Sequence, residues 1–124
     1  MKIEVDRLFG KVGAERGTTT ENRVITVFER RIKERDCPEW LIGCKQAKEK
    51  EEGRGIDFWF ETKDVGKIKI QVKSSMKGVK EAKKHHPKIP VVRIPPVSSE
   101  DSLFRKCLGV VERERIKYLR ERSR

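Results

Sequence analysis

The feature that most constrains this chain is the stretch from Gly55 to Lys73, where apolar and polar residues alternate through two short runs separated by turn residues. Strand side chains point to opposite faces in turn, so this period favours strands over a helix. The runs are Ile56 to Glu61 and Lys67 to Lys73, and Asp64 and Gly66 mark the reversal between them. The expectation is a β-hairpin. Ile68, Ile70 and Val72 then share one face of the second strand, and Lys67, Lys69, Gln71 and Lys73 the other. On the first strand Ile56, Phe58 and Phe60 oppose Asp57, Trp59 and Glu61. A loop from Asp64 to Gly66 sets Asp57 across from Lys73, and one from Thr62 to Gly66 sets it across from Gln71. Either register gathers Asp57, Gln71 and Lys73 on one face.

An acid, an amide oxygen and a lysine on one sheet face are the parts that metal-assisted phosphodiester cleavage needs. Carboxylate and carbonyl oxygens are hard ligands suited to magnesium, and an ammonium stabilises developing negative charge or orients the attacking water. The simpler reading is an amphipathic hairpin with one wet face.

Composition bears on the choice. A chain of 124 residues suffices for one modest core, so a single domain is expected over 1–124. Its net charge of +11 implies attraction to a polyanion, nucleic acid first, with acidic membrane surfaces as the competitor. No apolar run approaches the roughly 20 residues needed to span a bilayer, and no signal peptide precedes Asp6, so a soluble, cytoplasmic protein is expected. Cys37, Cys44 and Cys107 are odd in number and lack Cys-x-x-Cys spacing, which makes free thiols the default.

In chain order, residues 1–17 read as an irregular lead-in. Thr18-Thr19-Thr20-Glu21 has the form of a capping box opening a helix to about Arg35, with Thr18 as the cap. Val24, Ile25, Phe28 and Ile32 follow Glu21 at helical spacing, which puts that carboxylate on the buried stripe and Glu29 at its edge. Glu21 serves the cap, a metal, or both. After Pro38, Trp40 to Ala47 reads as a first strand, and Lys45 to Arg54 as a solvated loop or strand extension whose Arg54 can reach a phosphate backbone.

Beyond the hairpin, Met76 to His86 reads as a short helix stopped by Pro87. Its Lys77, Lys80, Lys83 and Lys84 form a phosphate track beside the hairpin. His85 and His86 are expected to serve the helix C-terminus rather than catalysis. Ile89 to Ile94 suits a short strand, and Ser98 or Ser99 caps a final helix carrying Leu103, Phe104, Cys107, Leu108, Val111 and Leu119 on its apolar side. Residues 113–124 form a basic helical tail, expected to fray into solvent or to touch nucleic acid or another subunit.

The expected order is helix, three strands, helix, strand, helix: an α/β fold with a mixed central sheet. With Glu21 on the first helix, Gly55-Ile56-Asp57 opening the second strand and Gln71-Val72-Lys73 on the third, it resembles the PD-(D/E)xK nuclease superfamily, which includes archaeal Holliday junction resolvases and Mrr-like endonucleases. The resemblance spans about Thr18 to Ile94. It implies a restriction-endonuclease-like core, with Asp57 as central metal ligand, Gln71 as second ligand in the place usually held by an acid, and Lys73 as catalytic lysine. Glu21 matches the first-helix acid that resolvase-like members use at the metal. Gly-Ile-Asp in place of Pro-Asp, and Gln71 in place of an acid, are both similar to Mrr-like members, although a neutral amide binds magnesium more weakly than a carboxylate. The activity implied is a metal-dependent DNA endonuclease using Mg2+, or Mn2+ in its stead. Resolution of a junction would add a homodimer, with Phe9, Trp40 or the final helix as candidate contacts. A basic nucleic-acid-binding protein with the same fold and no turnover is the alternative.

Overall fold

The computed structural model describes residues 20–123. The lead-in, the Thr18 cap, Phe9 and the final arginine lie outside the described residues. Helix α1 covers residues 20–33 and is followed by β1 (Leu41–Gln46), α2 (Glu49–Glu52), β2 (Phe58–Thr62), β3 (Gly66–Lys73), α3 (Met76–His85), β4 (Val91–Arg93) and α4 (Glu100–Arg122). This is a mixed α/β arrangement with a four-stranded sheet ordered β1-β2-β3-β4 and a C-terminal helix. The first three strands are antiparallel neighbours, and β4 joins β3 in parallel through α3.

The hairpin adopts the second of the two expected registers. Thr62 pairs with Gly66 and Phe58 with Ile70, where the ladder ends, so Asp57 lies just outside it. The loop is fixed from both sides, since the Thr62 hydroxyl donates to the Gly66 carbonyl at 2.7 Å and accepts from the Val65 N–H at 3.1 Å. Gly66 has φ +78°, a left-handed conformation that glycine adopts without steric cost.

Phe58, Phe60, Ile68 and Ile70 are fully buried in one cluster with Val24, Val27 and Phe28 of α1 and Leu103, Phe104, Cys107 and Val111 of α4. Both long helices therefore pack on the same sheet face. The Phe28 ring meets Phe60 edge-on at 5.0 Å and Phe104 at 5.1 Å, so three elements share one aromatic centre. Arg31, over the Phe104 ring at 4.0 Å, bonds Glu100 at the start of α4 and fastens the two helices at the surface.

Four expectations need correction. Ile56 does not continue the Phe58 and Phe60 stripe; it joins Ala47 and Ile89 in a small second cluster against which Trp59 packs. The charged run before Asp57 is not plain loop but contains α2, whose Glu51 caps it by accepting from the Lys48 N–H at 2.9 Å. Helix α1 closes at residue 33, near the expected Arg35, with the Asp36 N–H bonding the Arg31 carbonyl at 2.7 Å around a left-handed Arg35. The tail of α4 does not fray from the body. Arg115 grips Asp64 through two hydrogen bonds from Nε at 2.9 and 3.2 Å and lies 4.7 Å from the Trp40 ring, while Arg122 bonds the Asp64 carbonyl. That arrangement also occupies Trp40 within the chain. Residue Glu29, placed at the edge of the α1 stripe, is exposed, and Val27 takes the buried position.

Candidate functional site

The site forms where the chain enters β2 and leaves β3. Gly55 makes the entry possible: its φ is +87°, and a Cβ there would stand 2.4 Å from the His86 ring. Only glycine suits both the conformation and the approach. The Asp57 N–H then bonds the Ile70 carbonyl at 2.9 Å, just beyond the paired ladder, and Asp57 Oδ2 accepts from the Val72 N–H at 2.7 Å. The carboxylate is thus fixed beside the end of β3.

Gln71 is the most buried polar residue here, 1% exposed. Its Nε2 donates to the Ile89 carbonyl at 2.9 Å and to the His86 carbonyl at 3.4 Å. These carbonyls accept only, so the side-chain oxygen is the atom of Gln71 left to act as a ligand. Lys73 is half-buried at the last position of β3, pairs in register with Arg93 of β4, and approaches the first turn of α3 at Gly78. Ser75 caps that helix by accepting from the Gly78 N–H at 3.0 Å.

Asp57, Gln71 and Lys73 line one cavity of about 240 Å³ with Glu52 of α2 and Glu81, His85 and His86 of α3. Glu21 stands at its margin, where its Oε2 accepts from Gln46 Nε2 at 2.9 Å. Burial pushes the Asp57 carboxyl above its ordinary range, against the opposing pull of the Val72 N–H and the Lys73 charge; Glu52 adds to the rise. Burial also raises Glu21, with the Asp57 charge the next cause and the Gln46 hydrogen bond opposing. A desolvated carboxylate whose charge also raises the proton affinity of a second one nearby marks a place where a cation would be stabilised.

The four residues expected at the site therefore converge, three on the cavity and Glu21 beside it. Arg54 does not join them; it lines the neighbouring cavity around Trp59. Lys77, Lys80, Lys83 and Lys84 are exposed along α3, which flanks the site. The sequence reading missed Glu52 and Gln46. Glu52 sat in an unbroken charge run whose short helix no apolar period announced, and Gln46 closes a strand whose partner is remote in sequence.

Among the described residues no three His, Cys, Asp or Glu side chains stand close enough together to hold a metal ion. Glu52, Glu81, His85 and His86 line the same cavity as Asp57 and Gln71; the donors there that the sequence assigned to a metal are oxygens, Asp57, of which Oδ2 is held by Val72, and the Gln71 amide. Such a sparse all-oxygen set fits a magnesium ion, which retains several waters and takes one or two carboxylates plus substrate phosphates rather than a full protein cage. No protein-family model, curated protein or solved structure gives a significant match to the chain. Among the described residues no helix is long and apolar enough to cross a membrane.

Proposed function

We propose that this chain is a magnesium-dependent deoxyribonuclease on a restriction-endonuclease-like core, with Asp57 and Gln71 as metal ligands, Glu21 assisting and Lys73 as the catalytic lysine. The observation that carries the reading is the convergence of Asp57, just before β2, with Gln71 and Lys73 of β3 on the lining of one cavity. The helix, three antiparallel strands, helix and parallel strand around it agree with the same resemblance. A divalent ion there supplies Lewis-acid activation of the phosphate and a water of lowered pKa. Asp57 is held by the backbone so that one oxygen faces outward, and the Lys73 ammonium places a positive charge where the phosphate gains negative charge. The lysines of α3 draw and align the phosphate backbone, so affinity falls steeply with salt.

A binding protein of the same fold without turnover is the second reading, favoured by the neutral Gln71 and by the absence of a three-ligand cluster among the described residues. The deciding experiment incubates labelled linear duplex, single-stranded, flap and four-way-junction DNAs with wild type, Asp57→Ala and Lys73→Ala in magnesium, manganese or EDTA. Metal-dependent cuts that both substitutions abolish are expected. Binding without product in either metal overturns the nuclease in favour of the second reading. Junction cutting would further require a symmetric dimer, read by sedimentation of the active species.

A further inference from the structure

Next to the site lies a second, larger cavity of about 500 Å³ that neither ligand nor catalytic role accounts for. Its walls are Trp59, Ile56 and Ile89, with Arg54, Lys69 and Lys88 at the rim and His86 shared with the first cavity. The indole is anchored: Nε1 donates to Glu51 Oε2 at 2.6 Å, and the ring packs on Ala47, Ile56 and Ile89 while remaining half-buried. The one carboxylate on the wall, Glu51, faces its own bonds, since its oxygens accept from Trp59 and from the Lys48 N–H. The remaining charged groups are cations. Trp59, on β2, follows Asp57 by two residues, at most about 6.8 Å when fully extended. That is comparable to one nucleotide step of an extended single strand.

We propose that this cavity is a base-stacking subsite for one unpaired nucleotide adjacent to the scissile phosphate, with Trp59 as the platform and Arg54, Lys69 and Lys88 holding the flanking phosphates. The assignment rests on the nuclease reading for its place beside the scissile bond. A paired base is stacked within its helix and cannot present a face to Trp59, so the subsite selects single strands, flaps or branch points over continuous duplex. An aromatic platform with surrounding cations accepts any base, because each base has a π-face, and so confers structural rather than sequence preference.

The test uses the full chain carrying Trp40→Phe, which leaves Trp59 as its only tryptophan. Its fluorescence is followed in EDTA at low salt during titration with a short oligothymidylate, with an abasic oligonucleotide of equal length and charge, and with blunt duplex. Saturable quenching by oligothymidylate alone is expected. Trp59→Leu should weaken oligothymidylate binding roughly tenfold with little change for duplex, and Trp59→Phe, which keeps an aromatic face, should retain most of the affinity. Equal quenching by the abasic strand, or no quenching, overturns the subsite and needs no substitution at Trp59. Cleavage is scored separately. Base-dependent quenching in a chain that never cuts DNA keeps the subsite and removes the nuclease, whereas cutting without quenching removes the subsite alone.

Discussion

The two ends of the β2–β3 hairpin each carry an aspartate, and the fold treats them in opposite ways. At the turn, Asp64 is gripped by Arg115, whose hydrogen bonds first and charge second hold its carboxyl below the ordinary range. At the open end, burial raises Asp57, and the one hydrogen-bond partner of its carboxylate among the described residues is the Val72 N–H. A carboxylate whose charge is matched within the chain has little to gain from a ligand. One that is desolvated and unmatched stabilises whatever cation reaches it. The same hairpin therefore has one end whose aspartate is paired within the chain and one whose aspartate, on the proposed function, serves a metal.

Activity should separate the two ends most widely. Asp57→Ala or Lys73→Ala is expected to lower metal-dependent cleavage about 10²–10³-fold, the loss typical of removing one group that meets transition-state charge. Arg115→Ala, at the turn, should lower the melting temperature yet leave the single-turnover rate per folded molecule as it was. Comparable rate losses at both ends would break the comparison.

Gln71 gives the next largest effect, now on stability. Its amide nitrogen satisfies the Ile89 and His86 carbonyls from a position that is 1% exposed. Gln71→Glu removes that donor and sets a carboxylate against carbonyl oxygens, at a cost of about 2 kcal/mol in urea unfolding near pH 7. The glutamine is thus a piece of the α3–β4 connection as well as a ligand candidate. An unchanged unfolding midpoint would show that the amide is dispensable there.

The glycines at the two ends sharpen the contrast. Gly55 combines φ +87° with the His86 ring against it, whereas Gly66, at φ +78°, has nothing within 4 Å of where a Cβ would be. Gly66→Ala should cost only the left-handed backbone, about 1 kcal/mol. Gly55→Ala adds the clash and should cost about 2 kcal/mol. Equal costs would mean that His86 moves aside freely.

How much of this was legible in the sequence follows from the range of each interaction. The hairpin and the convergence of Asp57, Gln71 and Lys73 rest on period-two alternation, which is local and fixes faces once a turn is marked. The choice between registers rested on Thr62 bonding across its own loop, a local contact that period-two alternation does not report. The Asp64–Arg115 grip spans 51 residues, and no periodicity signals a partner so far away. Ile56 misled because alternation was extended back past Phe58, where β2 begins. The α2 helix is four residues with no buried side chain, so the charge run around it carried no hydrophobic signal to read.

The smallest effect is also the one that tests the comparison most directly, through pH. For Asp57 the folded carboxyl holds its proton more tightly than the unfolded one. The stability this gives is fully present below the unfolded value, near pH 4, and is lost as pH rises through the raised folded value. Asp57→Asn keeps an oxygen for the Val72 N–H and removes the charge. It should match wild type at low pH and become the more stable protein toward pH 7, by on the order of 1 kcal/mol. For Asp64 the sign reverses: its stabilisation is present above the unfolded value and lost as pH falls through the lowered folded value. Asp64→Asn should therefore be the less stable protein at pH 7, with the deficit shrinking in acid. Melting temperatures of the three proteins across this range give two difference curves of opposite sign. Magnesium adds a second reading without any substrate, since a ligand bound only by the folded state raises its melting temperature. That rise should occur for wild type and Asp64→Asn and be lost in Asp57→Asn. Difference curves of the same sign, or a magnesium shift that survives in Asp57→Asn, would mean that the unmatched charge at the open end is not what waits for the cation.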